Sequence, residues 1–354
     1  MSSFGTSIKD EITFPYFWLM AKKPISWTIK MAIQNISPSA TKNAKRLKPD
    51  QAIKAPIQSL VESYTAAAQS KATQHAYNAA IRHFKQHGGT IPATPAMVAE
   101  YIAKFADSLA VATLQHRLVA IHRAHSDIGI KSPVVDKSVK RTMQGIRRTF
   151  GTSQRRVTAL VKDDLLEIMI LIDQQSPLKA ARDKALLLIG FAGAFRRSEL
   201  VALKIEDVST YDTGLEILLK RSKTDQEGAG RTVFIPYAKG NRCPVKALQG
   251  WLMLANITEG AVFRPVSRHD TLVSKKSLTP QSVALILKAA VRRVGGEEAA
   301  RNVAGHSLRA GYCTEAAMTG LQPYQIREQT GHKSDVTLAR YIRPVSKRKI
   351  PSLL

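Results

Sequence analysis

From Ile57 to Phe150 the apolar residues recur at helical spacing and never alternate as a strand would, which restricts this part of the chain to packed helices. Tyr77, Ala80, Ile81 and Phe84 make one stripe, Val98, Tyr101, Ile102, Phe105 and Leu109 a second, and Leu114, Leu118 and Ile121 a third. Thr94-Pro95 opens the second helix with a capping hydroxyl, followed by a proline whose missing N–H costs nothing in the first turn. Gly88-Gly89 and Ser132-Pro133 punctuate the series, and a last helix carries Val135, Val139, Met143 and Ile146. The pattern predicts a compact bundle of four or five helices.

The flanks differ. Residues 1–56 are basic, with Pro24, Pro38, Pro49 and Pro56 scattered through them and no sustained periodicity, which predicts a partly disordered N-terminal arm. After the bundle, the run from Arg147 and Arg148 to Arg155 and Arg156 is basic, polar and without periodicity. It reads equally as an interdomain linker whose arginines track a nucleic-acid backbone and as a solvated loop. The domains are thus an arm over 1–56, a helical domain over 57–150, a linker over 151–158 and a second domain over 159–354.

That second domain mixes helices with a small sheet. Asp163–Ile172 and the almost wholly apolar Ala180–Gly193 read as helices, the latter central to a core. Leu215–Leu219 and Thr232–Ile235 have strand composition and flank a polar, glycine-bearing turn from Arg221 to Gly230, a hairpin with a long tip. Helices return over Val245–Leu254, over Gln281–Arg293 after Thr279-Pro280, and in three short pieces between Ser307 and Tyr341. The fold class is mainly α with a small β component.

Charge narrows the partner. Lys and Arg total 53 against 27 Asp and Glu, a net +26 carried by a chain that is 44% hydrophobic, so the excess sits on folded domains and calls for a polyanion. DNA, RNA and an anionic membrane surface all satisfy it. Phe14–Met20 is too short and proline-broken to span a bilayer, and no other apolar run reaches about 18 residues. Cys243 and Cys313 stand in different neighbourhoods and suggest neither a disulfide framework nor a zinc site, which fits a reducing cytoplasm.

Four local signals carry chemistry. In Gly193-Ala194-Phe195-Arg196-Arg197-Ser198-Glu199-Leu200 an apolar helix runs into arginines, and Glu199 can hold Arg196 while leaving its fork for a phosphate. Taken alone, a structural Arg–Glu pair fits as well. In Gly305-His306-Ser307-Leu308-Arg309 the histidine and arginine share a face at the start of a helix, where an anion is also favoured. Gly331-His332 precedes Tyr341, which Arg340 and Arg343 flank, a field expected to favour phenolate; Ser334 or Asp335 can cap a helix between them. Lys223 stands at the edge of the hairpin turn, where a lysine is usually a solvated charge.

In their order and combination these motifs resemble those of the tyrosine recombinases, or phage-type integrases, from about Ile57 to Arg343. The resemblance implies a SAM-like helical core-binding domain and a mixed α/β catalytic domain that clamp DNA between them. It implies site-specific cleavage and rejoining of DNA through a 3′-phosphotyrosyl link to Tyr341, without ATP, metal or other cofactor. Arg196 is then the first catalytic arginine, His306 and Arg309 the second box, His332 the supporting histidine, Lys223 the hairpin lysine and Glu199 the carboxylate that supports the active-site arginine.

The residue types suit the reaction. Charge building on the non-bridging phosphate oxygens can be absorbed by two guanidinium groups. No clustered Asp and Glu suited to two Mg²⁺ is present in the sequence. With a phenol pKa near 10, only about one tyrosine in a thousand is ionised at pH 7, so His306 is expected to help remove the proton and Lys223 to protonate the departing 5′-oxygen. The implied partners are double-stranded DNA, three further copies in a homotetramer on DNA, and accessory DNA-bending proteins. Thirteen residues follow Tyr341, where several relatives carry a longer terminal helix that docks on a neighbouring subunit. A type IB topoisomerase shares the chemistry without synapsing two sites, and a basic bundle alone could be a non-catalytic DNA-binding protein.

Overall fold

The computed structural model describes residues 59, 63–65, 68–153, 157–220 and 230–348; at 343, 344 and 346–348 it describes the backbone alone. The arm over 1–56, Arg155, Arg156 and Lys223 lie outside the described residues. The chain divides into two compact units, the first ending at Gly145 and the second beginning at Ile146, inside a helix.

The first unit is helical throughout its described residues: α1 (Lys71–Gln86), α2 (Pro95–Lys104), α3 (Val111–Ser126) and α4 (Lys137–Phe150), with a 3₁₀ turn at Pro133–Val135. Thr94 Oγ1 accepts from Met97 N at 3.2 Å with Pro95 in the first turn, the cap its sequence suggests. Phe84, Val98, Ile102, Leu114, Ile121 and Val139 are wholly buried. Arg117 ties three helices together, its Nη1 donating to His83 Nδ1 at 2.5 Å and to the Tyr101 hydroxyl at 2.6 Å. Three local expectations are corrected. The second helix ends at Lys104, so Phe105 is its C-cap and Leu109 lies beyond it, although the Phe105 ring still packs on Tyr101 and His83. Val135 stands in the 3₁₀ turn and is exposed, because Asp136 accepts from Ser138 N at 2.8 Å and starts the last helix after it. That helix then runs through Arg147 and Arg148 to Phe150, so these arginines are exposed helical residues and not loop.

The second unit runs α5 (Lys162–Ile172), α6 (Pro177–Ala192), α7 (Arg197–Ala202), β1 (Val208–Tyr211), β2 (Gly214–Leu219), β3 (Arg231–Pro236), α8 (Pro244–Leu254), α9 (Pro280–Asn302), α10 (Ser307–Met318), α11 (Pro323–Thr330) and α12 (Asp335–Arg348). The strands form one antiparallel sheet in the order β1-β2-β3, with Val208 opposite Ile217 and Leu219 opposite Arg231. The first strand has no sequence signal because Ser209, Thr210 and Tyr211 are all exposed, leaving no alternation to read. Ala185, Leu186, Ile189, Ile217, Ile235, Val245, Leu248 and Trp251 form the main core, where Trp251 Nε1 donates to Val262 O at 2.8 Å. The central helix α6 begins earlier than its apolar stretch and includes a buried Arg182–Asp183 pair, Nε to Oδ1 at 2.8 Å. The α9 helix is longer than its apolar stretch and breaks at Gly296, whose φ is 73°. A second cluster, Cys313, Ala316, Ala317, Ile326 and Leu338, joins α10, α11 and α12, and Tyr341 packs against it. Among the described residues no helix is long and apolar enough to cross a membrane.

Candidate active site

The apolar α6 ends in a tight reversal. Gly193 and Ala194 donate back to Ile189 O and Phe191 O, and Ala194 takes φ +49°, unusual for a residue with a side chain. The reversal places Arg196 at the N-cap of α7, where Glu199 closes it from the third helical position. The carboxylate accepts from Arg196 N at 2.9 Å and from Arg196 Nη1 at 2.5 Å, and it is almost completely buried.

The same reversal turns the Ala194 carbonyl toward Arg309, whose Nη1 donates to it at 2.7 Å. Arg309 is fully buried in the first turns of α10, yet its Nε and Nη2 find no partner among the described residues. Buried N–H groups of a cation are rarely left so, since each unmade bond costs about 1–3 kcal/mol or more. Burial first, then repulsion by Arg196, brings its pKa down to about 10. The helix approaches Leu160 closely enough that a Cβ at Gly311 would lie 1.7 Å from the Leu160 carbonyl oxygen, which accounts for the glycine two residues past Arg309.

His306 is the N-cap of α10, and its Nε2 lies 2.6 Å from the Tyr341 hydroxyl, brought in by α12 from 35 residues away. The phenol is not in a field that favours phenolate overall. Burial raises its pKa above the ordinary tyrosine value, with Cys313 adding to the rise, while Arg309, Arg340 and Arg196 offset part of it. Arg340 is exposed, and the Arg343 side chain lies outside the described residues. The expectation of a phenolate-favouring field is therefore corrected: desolvation outweighs the arginines and favours the neutral phenol.

His332 follows Gly331, the left-handed C-cap of α11 at φ 65°. Its ring is buried beside Tyr341, centroids 5.9 Å apart, and its Nδ1 lies 2.7 Å from the Thr330 hydroxyl. Burial, then Arg309 and Arg196, pushes its pKa down to about 3.

The structure thus gathers Arg196, Glu199, Arg309, His306, His332 and Tyr341. It also brings in groups that no sequence motif marked. Arg231 donates to Gln329 O at 2.9 Å and Thr330 O at 3.4 Å, and its charge is felt at Arg309 and His332. Thr330 and Gln329 are the others; an arginine opening a strand and a Gln-Thr pair ending a helix carry no local signal. Among the described residues no group of three or more His, Cys, Asp or Glu is placed to hold a metal ion. A phenol hydrogen-bonded to an imidazole, near an Arg309 whose Nε and Nη2 have no partner among the described residues, can lose its proton while an oxyanion is held beside it.

The chain is similar to known proteins in sequence and in fold. Residues 158–348 match the phage integrase family. Over 261 residues the chain is 40% identical to the integrase/recombinase xerD homolog of Selenomonas ruminantium, covering 72% of this chain and 75% of that one. It is 23% identical over 267 residues to the recombinase cre of Escherichia phage P1, covering 71% and 76%. The fold resembles a lambda integrase dimer bound to a COC′ core site, TM-score 0.55 at 15% identity over 84% of this chain and 78% of that chain. It also resembles the XerH site-specific recombinase bound to palindromic difH substrate, TM-score 0.54 at 22% identity, over 72% and 70%. The chain belongs to the phage integrase family, and is a tyrosine recombinase, an enzyme of site-specific DNA recombination.

Proposed function

We propose that Tyr341 is the nucleophile that cleaves and rejoins double-stranded DNA, and that this chain uses arginines in place of a metal ion to absorb the charge that develops. The observation that carries the reading is the 2.6 Å hydrogen bond between the Tyr341 hydroxyl and His306 Nε2, beside an Arg309 with two buried donors that find no partner among the described residues. His306 takes the phenolic proton, the oxygen bonds to the scissile phosphorus, and the bond from phosphorus to the 5′-oxygen breaks. Lys223 returns a proton to that leaving oxygen. Arg196, held by Glu199, and Arg309 bind the non-bridging oxygens, and His332 supports them. The 3′-phosphotyrosyl product keeps the phosphodiester's energy, so attack by another strand's 5′-hydroxyl reverses the step without ATP or other cofactor.

The helical domain over 57–150 and the catalytic domain over 159–354, joined by 151–158, grip one duplex as a clamp, with Arg147, Arg148, Arg155 and Arg156 on its phosphates. Such contacts hold DNA without naming its sequence. Two duplexes with two cleavages each need four nucleophiles, which makes a homotetramer the working assembly; relatives of this fold include a lambda integrase tetramer bound to a Holliday junction. Accessory DNA-bending proteins join it, in the cytoplasm. A two-site recombination assay run beside relaxation of a supercoiled plasmid tests the function: exchange of flanking DNA supports it, and relaxation with no exchange at any site the protein footprints refutes it in favour of a topoisomerase.

A further inference from the structure

We infer that Arg231 is a positioning residue for the cleavage reaction: it staples the first residue of β3 to the last carbonyls of α11 and so holds His332 in place beside Tyr341. The inference rests on the reading of Tyr341 as the nucleophile. It begins from a burial that is otherwise unexplained. Arg231 opens a strand at the base of the hairpin, eight residues after Lys223 in the chain, where an arginine would ordinarily stay in water. Instead its head is buried far enough for desolvation to lower its pKa, and its Nε has no partner among the described residues.

What the head does is bind the end of a helix. The last carbonyls of a helix lack partners within it and carry partial negative charge. Arg231 Nη1 takes Gln329 O at 2.9 Å and Nη2 takes Thr330 O at 3.4 Å. Gln329 closes the staple from the other side, its Nε2 donating to Phe234 O of β3 at 3.1 Å and to Ala192 O at the end of α6 at 3.0 Å. Gly331 follows at once, and it must be glycine on two counts: φ is +65°, and a Cβ there would come within 2.7 Å of Arg231 Nε. The Arg231 head therefore lies close against the turn that delivers His332. A planar fork can span two adjacent carbonyls, and a lysine ammonium, a point donor, cannot do so in the same geometry.

The test compares wild type with Arg231→Lys and Arg231→Ala, each as full-length protein. One readout is single-turnover cleavage of a nicked suicide duplex carrying the site the protein footprints; the other is hydrogen exchange of the DNA-free protein at the Gly331 amide, which donates to Arg327 O at 2.7 Å. The inference expects Arg231→Lys to slow cleavage at least about tenfold while DNA retention changes less than about threefold, and to raise exchange at Gly331 and His332. Arg231→Ala should do both more strongly. Should Arg231→Ala fail to fold, the lysine variant decides alone. Cleavage at the wild-type rate, or slowed cleavage with unchanged exchange at this turn, overturns the inference. A wild-type protein that forms no adduct refutes the role of Tyr341 instead, and the exchange measurement still decides whether Arg231 holds the turn.

Discussion

Thr330 determines which nitrogen of His332 is free. Its hydroxyl lies 2.6 Å from Ile326 O and 2.7 Å from His332 Nδ1. It has one proton to give, and the carbonyl can only accept. The hydroxyl therefore donates to Ile326 and accepts from Nδ1–H, which leaves the neutral ring's lone pair on Nε2. A neutral ring then presents a lone pair, and a charged one a donor to an oxyanion.

Replacing Thr330 by Val keeps the shape and removes that acceptor, so the Nδ1–H is buried without a partner. The variant should lose about 1–3 kcal/mol of stability, and cleavage should slow because the ring is no longer held in one tautomer. Urea melts and single-turnover cleavage check this; Thr330→Ser should restore most of both. A valine variant as stable and as fast as wild type contradicts the assignment.

Acid should weaken the DNA-free protein through His332. The folded ring has a pKa of about 3, against 6.5 for an unperturbed histidine. Between those values the unfolded chain binds a proton that the folded one refuses, so stability rises with pH across that window and falls as pH drops from 6.5 toward 3. Carboxylates titrate in the lower part of the same range, so the measurement is the difference between wild type and His332→Gln. The stability advantage of wild type over the variant should shrink steadily below about pH 6.5; parallel curves would contradict it.

Glu199 is a buried carboxylate whose charge is met by Arg196. Glu199→Ala leaves Arg196 without its holder and should cost about 3–5 kcal/mol in stability, and it should slow cleavage as well. Glu199→Gln, which can still accept from the Arg196 N–H, should be milder in both. Chemical denaturation together with cleavage kinetics would show it, and an alanine variant that cleaves normally removes Glu199 from the site.

Arg309 should show function at the expense of stability. Among the described residues its Nε and Nη2 have no partner, against the bond its Nη1 makes to Ala194 O, and the unmet donors are expected to cost more than that bond returns. Arg309→Met should therefore raise the melting temperature of the DNA-free protein by a few degrees, while cutting cleavage by about 10²–10³-fold. A lower melting temperature would mean that the orphaned donors are not a cost.

What the sequence disclosed, and what it withheld, follows from distance along the chain. The Arg196–Glu199 pair and the His306–Arg309 box lie within one turn of a helix, so their spacing reads directly. The main core was legible in the same way, through the apolar run of α6. The meeting of Tyr341 with His306 across 35 residues came from family resemblance and not from spacing. Arg231 was invisible because the carbonyls it binds stand 98 and 99 residues away in the chain, and Thr330, although only two residues from His332, was invisible because a threonine ending a helix carries no local signal. Val208–Tyr211 hid because an exposed edge strand has no alternation. The Tyr341 environment was misjudged because flanking arginines can be counted in a sequence, whereas desolvation cannot.

The central claim is a bond between the Tyr341 phenolic oxygen and a DNA phosphate. The direct measurement traps the protein on a nicked suicide duplex without added metal or ATP, digests it, and identifies the modified peptide by mass spectrometry. The account predicts a nucleotide attached through its 3′-phosphate to Tyr341, and no adduct from Tyr341→Phe although that variant still retains DNA. An adduct on any other residue, or cleavage that releases ends with nothing attached, would contradict it.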